Sequence, residues 1–144
     1  MSLTYSPCAP MLTASVIYAL LAATILPILC AFFAKVKTGF DLKKNLDPRA
    51  ALATGAEQHV LVARLLAAEK NHWEGLPFFY LSVLLALIMI VPAAAIAKLA
   101  WGYVLFRVLY TLCYALGFGV LRSIVWTLGV IDLLILIKLC LSIL

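Results

Sequence analysis

Glu69-Lys70-Asn71-His72-Trp73-Glu74-Gly75-Leu76-Pro77-Phe78-Phe79 is a dense cluster of polar and charged residues that runs straight into an apolar, membrane-grade segment. If the surrounding stretch is helical, Arg64, Asn71, Glu74 and Phe78 recur at heptad-like spacing and share one face. That face starts basic, passes through an amide and a carboxylate, and ends on aromatics. A carboxylate carried to the edge of hydrocarbon is costly and needs a partner. Asn71 and Glu74 therefore read as parts of a polar pocket between helices, built for a small charged ligand.

The composition around this stretch fixes the class. The chain has 144 residues, is 67% hydrophobic and 12% charged, and has a mean hydropathy of +1.16. These values exclude a soluble domain and give an all-α integral membrane protein with little extramembrane mass. The net charge of +5 is not the footprint of a nucleic-acid binder, because five of the eleven Lys and Arg fall between residues 35 and 49. Cys8, Cys30, Cys113 and Cys140 show no C-x-x-C pair or metal-like spacing, and His59 and His72 share no ligand spacing. No metal site is expected.

Hydropathy divides the chain into four spans, at about residues 12–34, 55–91, 95–116 and 121–143, joined into one domain over 1–144. The first carries Pro27, where a kink is expected. Its neighbour is the cytoplasmic loop 35–54, with Lys35, Lys37, Lys43, Lys44 and Arg49 against Asp41 and Asp47. These cations fix topology; in a sharper reading, Lys35 or Lys37 also holds an anionic ligand. Thr54-Gly-Ala-Glu57 fits a capping box for the second helix. That helix exceeds the roughly 20 residues a bilayer needs, so its first turns should project into the cytoplasm, with Arg64 and Lys70 in water or headgroups. Lys70 precedes Glu74 by four residues, the weaker order for a helical ion pair.

The later spans carry charges that need explaining. Arg107, Tyr110 and Tyr114 form one stripe of the third helix, and Asp132 lies within the fourth. Arg107 and Asp132 stand at similar distances from the Gly117-Phe118-Gly119 turn, so they can neutralise each other. Alternatively Arg107 reaches the helix carrying Glu74, and Asp132 faces a water pocket or another subunit. Arg122, Ser123 and Trp126 open the fourth span, where Arg commonly snorkels and Trp anchors at the interface.

Asn71-x-x-Glu74-x-x-Pro77-x-Phe79, Arg107-x-x-Tyr110-x-x-x-Tyr114 and Arg122-Ser123-x-x-Trp126 resemble, in this order, the signature of the MAPEG family, the membrane-associated proteins of eicosanoid and glutathione metabolism. The Arg-Ser-x-x-Trp ending is more similar to the small bacterial branch than to the animal synthases. The resemblance implies a homotrimer of four-helix bundles in the bacterial inner membrane, binding glutathione between subunits near the cytosolic face. It further implies that Asn71 and Glu74 hold the peptide backbone and amino group, and that Lys70 contacts its carboxylates. Arg107, Tyr110 and Tyr114 would line the glutathione site, with Arg122 and Ser123 as catalytic residues beside the sulfur. Where several members carry an arginine four residues before the asparagine, this chain has Ala67, so that carboxylate contact does not carry over. Tyr110 occupies a position that varies across the family.

Glutathione carries two carboxylates, an ammonium and a thiol, and the few intramembrane polar groups here include cations, an anion and hydroxyls. The leading expectation is a glutathione transferase or peroxidase acting on a lipophilic electrophile or hydroperoxide. A non-catalytic binding or scaffold protein of the same fold is an alternative. A small four-helix multidrug-type transporter is a weaker one, because such proteins carry a glutamate in the first helix and residues 12–34 have no charge. The cation-rich loop places both termini outside the cytoplasm and Arg122 inside. With Cys8 replaced by Ser, Lys43→Cys should then resist an impermeant thiol reagent in intact cells and react once the membrane is opened; labelling in intact cells reverses this topology.

Overall fold

A computed structural model describes residues 13–38 and 59–143. Within them the chain forms four helices: α1 (Ala14–Thr38), α2 (Val60–Ile88), α3 (Ala93–Leu116) and α4 (Gly119–Leu141). The capping box at 54–57 and residues 39–54 of the expected loop lie outside the described residues. α1, α3 and α4 are long and apolar enough to cross a membrane. α2 carries Arg64, Glu69, Lys70 and Glu74 in its first half and becomes apolar only afterwards. Its 29 residues make it about 44 Å long, more than the hydrocarbon thickness requires. The chain is therefore a multi-pass integral membrane protein, with a polar half-helix packed among apolar ones.

Helix ends differ from the sequence expectation for local reasons. α1 continues past Ala34, through Lys35 and Lys37, to Thr38, because cations in a last turn complement the helix dipole. α2 ends at Ile88 instead of Val91, and the chain turns through Met89 and Ile90, whose φ is +58°. The residue before a proline is disfavoured in a helix, and Pro92 follows Val91 directly. α3 starts at Ala93, just after Pro92, and α4 starts at Gly119 with Phe118 as its N-cap.

α2 and α3 form the central pair. α1 packs on both from one side and α4 on both from the other, so α1 and α4 do not touch among the described residues. In lipid, helices associate through close packing and hydrogen bonds, since lipid tails are as apolar as leucine. Ala19, Ala23 and Ala34 of α1, Ala68 and Ala86 of α2 and Ala100 of α3 are all buried, which lets backbones approach. Two polar contacts fasten α1: Thr24 meets the Tyr80 hydroxyl on α2, and Trp101 Nε1 on α3 donates to Ser15 Oγ at 3.1 Å. The outer surfaces are apolar, with Phe32, Phe33, Leu84, Leu105 and Ile131 exposed, as lipid contact requires.

The turn between α3 and α4 fixes where the fourth helix begins. Gly117 adopts φ +83°, and its N–H bonds the Cys113 carbonyl at 3.0 Å while Phe118 N–H bonds the same carbonyl at 2.9 Å. A left-handed residue ending a helix this way is most often glycine. Here a second constraint applies: a Cβ on Gly117 would stand 2.6 Å from Nη2 of Arg64. Arg64 is half-buried and donates Nη1 to the Ala115 carbonyl at 3.3 Å, so it covers the end of α3 and does not extend into water. Gly117→Ala should destabilise the protein by about 1–2 kcal/mol from the backbone alone, plus the displacement of Arg64. Denaturant unfolding in detergent measures this, and an unchanged midpoint removes the constraint.

Candidate functional site

The polar residues singled out by spacing converge on the cleft between α2, α3 and α4. Arg107 lies at its base and is 7% exposed. Its Nε donates to the Tyr103 hydroxyl at 2.8 Å and its Nη1 to Asn71 Oδ1 at 2.7 Å. The guanidinium carbon also sits 5.0 Å from the Tyr103 ring centre and 5.8 Å from that of Tyr110, so its charge is held by oxygens and ring faces. Arg107 thus reaches the helix carrying Glu74, as one of the two readings of the sequence had it, but its partner there is Asn71. Asp132 is not its counterion. That carboxylate lies against Gly102, where a Cβ would be 3.0 Å from Oδ1, and its Oδ2 is buried without a hydrogen-bond partner among the described residues.

Gly75 is the reason Arg107 can cross to α2. A Cβ there would overlap Arg107 Nη2 and stand 2.9 Å from the Tyr103 hydroxyl oxygen. With its carbonyl oxygen engaged by Arg107, Asn71 keeps its amide nitrogen, a double donor, for a ligand. A second contact pins the same helices. Thr111 Oγ1 donates to the Arg107 carbonyl at 3.0 Å and lies 2.7 Å from His72 Nε2. The hydroxyl has one proton, so His72 Nε2 is the donor in that pair. His72 is buried and meets the Tyr110 ring edge-on, with centroids 5.9 Å apart.

Above Arg107 the stripe continues. Tyr110 packs edge-on to Tyr114 at 5.1 Å, and the Arg122 guanidinium lies 4.5 Å from the centre of the Tyr114 ring. Asn71, Tyr110, Tyr114, Arg122, Ser123 and Trp126 line an open groove of about 460 Å³, within the usual range of ligand sites, roughly 300–1,000 Å³. Asn71 and Trp126 also border a recess of about 180 Å³ that holds Glu74, Gly75 and Arg107 with the apolar Phe78, Val130 and Leu133. Ser123 Oγ donates to the Gly119 carbonyl at 3.2 Å, which leaves its lone pairs outward and requires a rotation before it can donate to a ligand.

Of the expected site residues, Asn71, Tyr110, Tyr114, Arg122 and Ser123 share the groove, while Glu74 and Arg107 share the adjoining recess. Lys70 lines neither. It lies 4.0 Å from Glu74 as an ion pair with side chains 81% and 60% exposed, an arrangement that contributes little to stability. Spacing alone did not point to Gly75, Tyr103, His72 or Thr111. Tyr103 was accessible in principle, because it extends the stripe of Arg107, Tyr110 and Tyr114 one turn back. Among the described residues no group of His, Cys, Asp and Glu is arranged to hold a metal.

Gly75→Ala should push Arg107 off Asn71 and lower stability by about 1.5–3 kcal/mol, the usual worth of a hydrogen bond to a charged group. In an Arg107→Ala background the added methyl should cost much less, a coupling that a double-mutant cycle of thermal unfolding in detergent measures. Equal costs in the two backgrounds contradict the notch.

The family model for the MAPEG family matches residues 15–142 of this chain. No curated protein and no solved structure matches it.

Proposed function

The chain belongs to the MAPEG family, and on that footing we propose that it binds glutathione in the α2–α4 cleft and activates its thiol for reaction with a lipophilic electrophile or hydroperoxide. The observation that carries this reading is the groove itself, where Asn71, Tyr114, Arg122 and Ser123 from three helices line one space of about 460 Å³. Its donor set suits the peptide. Glu74 matches an ammonium, the Asn71 amide nitrogen a carbonyl or carboxylate oxygen, and Arg122 a thiolate. Bound there, glutathione supplies the sulfur nucleophile, and every other requirement falls on the chain.

A free thiol titrates near pKa 8.5, so only a few per cent is ionised at neutral pH without help. An opposite charge in contact commonly lowers such a value by about 1–3 units. Arg122 is that charge, already held in place by the Tyr114 ring. The first turn of α4, which contains Arg122, adds the positive end of a helix dipole in the same direction. Ser123 ranks second, because it contributes one neutral hydrogen bond and must first leave the Gly119 carbonyl. Arg107 acts through Asn71, whose amide it orients. Trp126 and Tyr114 give the groove an apolar border. In this reading a second substrate arrives from the bilayer, three chains assemble as a homotrimer, and the groove faces the cytoplasm of a bacterial inner membrane.

Arg122→Ala should abolish the ultraviolet thiolate absorbance of bound glutathione in the detergent-purified protein while weakening binding only moderately. Ser123→Ala should keep most of that absorbance. A full thiolate signal in Arg122→Ala together with its loss in Ser123→Ala reverses the two roles, and no glutathione binding by the unmodified protein ends the proposal.

A further inference from the structure

Three cavities follow one another along the cleft. The recess of Glu74 and Arg107 shares Asn71 and Trp126 with the groove, and the groove shares Tyr114 and Arg122 with a third cavity of about 110 Å³. That third space is lined by Arg64, Cys113, Tyr114, Arg122 and the Gly117-Phe118-Gly119 turn, with no carboxylate among its described walls. Two guanidinium groups from different helices therefore face one small volume. Like charges converging in a partly dry site repel unless an anion lies between them.

Arg64 is available for such an anion. Among the described residues its hydrogen bond to the Ala115 carbonyl is single and 3.3 Å long, while a guanidinium carries five N–H donors in a fork that fits a carboxylate. Gly117 gives the guanidinium room, since any Cβ there would press on it. A water occupies roughly 30 Å³ in the liquid, so 110 Å³ holds a carboxylate with a water or two but not a tripeptide.

We propose that Arg64, with Arg122 beside it, forms a subsite for the glycine-end carboxylate of glutathione, an assignment that rests on the glutathione reading above. The order of groups along the protein matches the order along the peptide. Glu74 and Asn71 suit the ammonium and carboxylate of the glutamyl end, Arg122 and Ser123 suit the central thiol, and Arg64 meets the remaining carboxylate.

The test compares glutathione with its glycine-carboxylate monoethyl ester by binding titration of the full detergent-purified chain. The unmodified protein should bind the ester about tenfold or more weakly, the usual worth of a charge-assisted hydrogen bond. Arg64→Gln, which keeps a donor for the Ala115 carbonyl, should weaken glutathione binding by about the same factor and leave ester binding within about twofold. Arg64→Lys should recover part of the discrimination. Equal weakening of both ligands by Arg64→Gln confines Arg64 to covering the end of α3 and overturns the subsite. So does an unmodified protein that binds both ligands alike. An Arg64-dependent affinity for micelles containing anionic phospholipid, without discrimination between peptide and ester, assigns the cavity to a lipid headgroup and overturns it as well. If the unmodified protein binds no glutathione, the function reading falls and takes the subsite with it.

Discussion

A buried guanidinium in a bundle this apolar must be matched by oxygens and ring faces, or the helices around it cannot close. Arg107 meets that demand with one partner on its own helix, Tyr103, and one on α2, Asn71. The pairing fixes the register of α2 against α3, since the two short contacts and the notch at Gly75 allow one vertical position. Once that register is set, Thr111 falls opposite His72, and Tyr110 and Tyr114 fall beside Asn71. The groove follows from how one cation is solvated.

The four helices divide the work unevenly. α1 closes the back of the α2–α3 pair through small residues and two polar contacts, and none of the three cavities of the cleft includes it. α4 closes the front and brings Arg122, Ser123 and Trp126. Its starting point depends on the left-handed turn at Gly117, which in turn is held against Arg64. The cations of the cleft thus act in a chain: Arg107 sets the α2–α3 register, Arg64 secures the turn, and the turn delivers Arg122 to the Tyr114 ring.

Aromatic rings do much of the holding. Phe79 stacks on Tyr103 at 4.4 Å, Arg107 lies over Tyr103 and near Tyr110, Tyr110 meets Tyr114, and Arg122 covers Tyr114. Pairs of rings alternate with single guanidinium groups along the column from the buried core to the groove. Cation–π contacts gain strength where water is scarce, so such a column suits a membrane interior. It steadies positive charge with ring faces in place of carboxylates.

The sequence by itself determined the membrane class, the four helices and the polar faces, because hydropathy and helical periodicity are local properties. Pro92 and Gly117 punctuate the chain wherever it folds, and the three motifs are legible as strings. The chain's own letters also showed that Arg107 and Asp132 needed partners. Only the tertiary structure decided which. Asn71 and not Asp132 receives Arg107, because Gly75 leaves the guanidinium room to cross to α2. Arg64, expected in water or headgroups, is half-buried for a similar reason. A side chain's surroundings depend on which neighbour closes over it, and α3 ends above Arg64 while nothing described covers Lys70. The bond from His72 to Thr111 joins residues 39 positions apart. No spacing rule within one helix can see a contact that exists only after two helices have chosen their register.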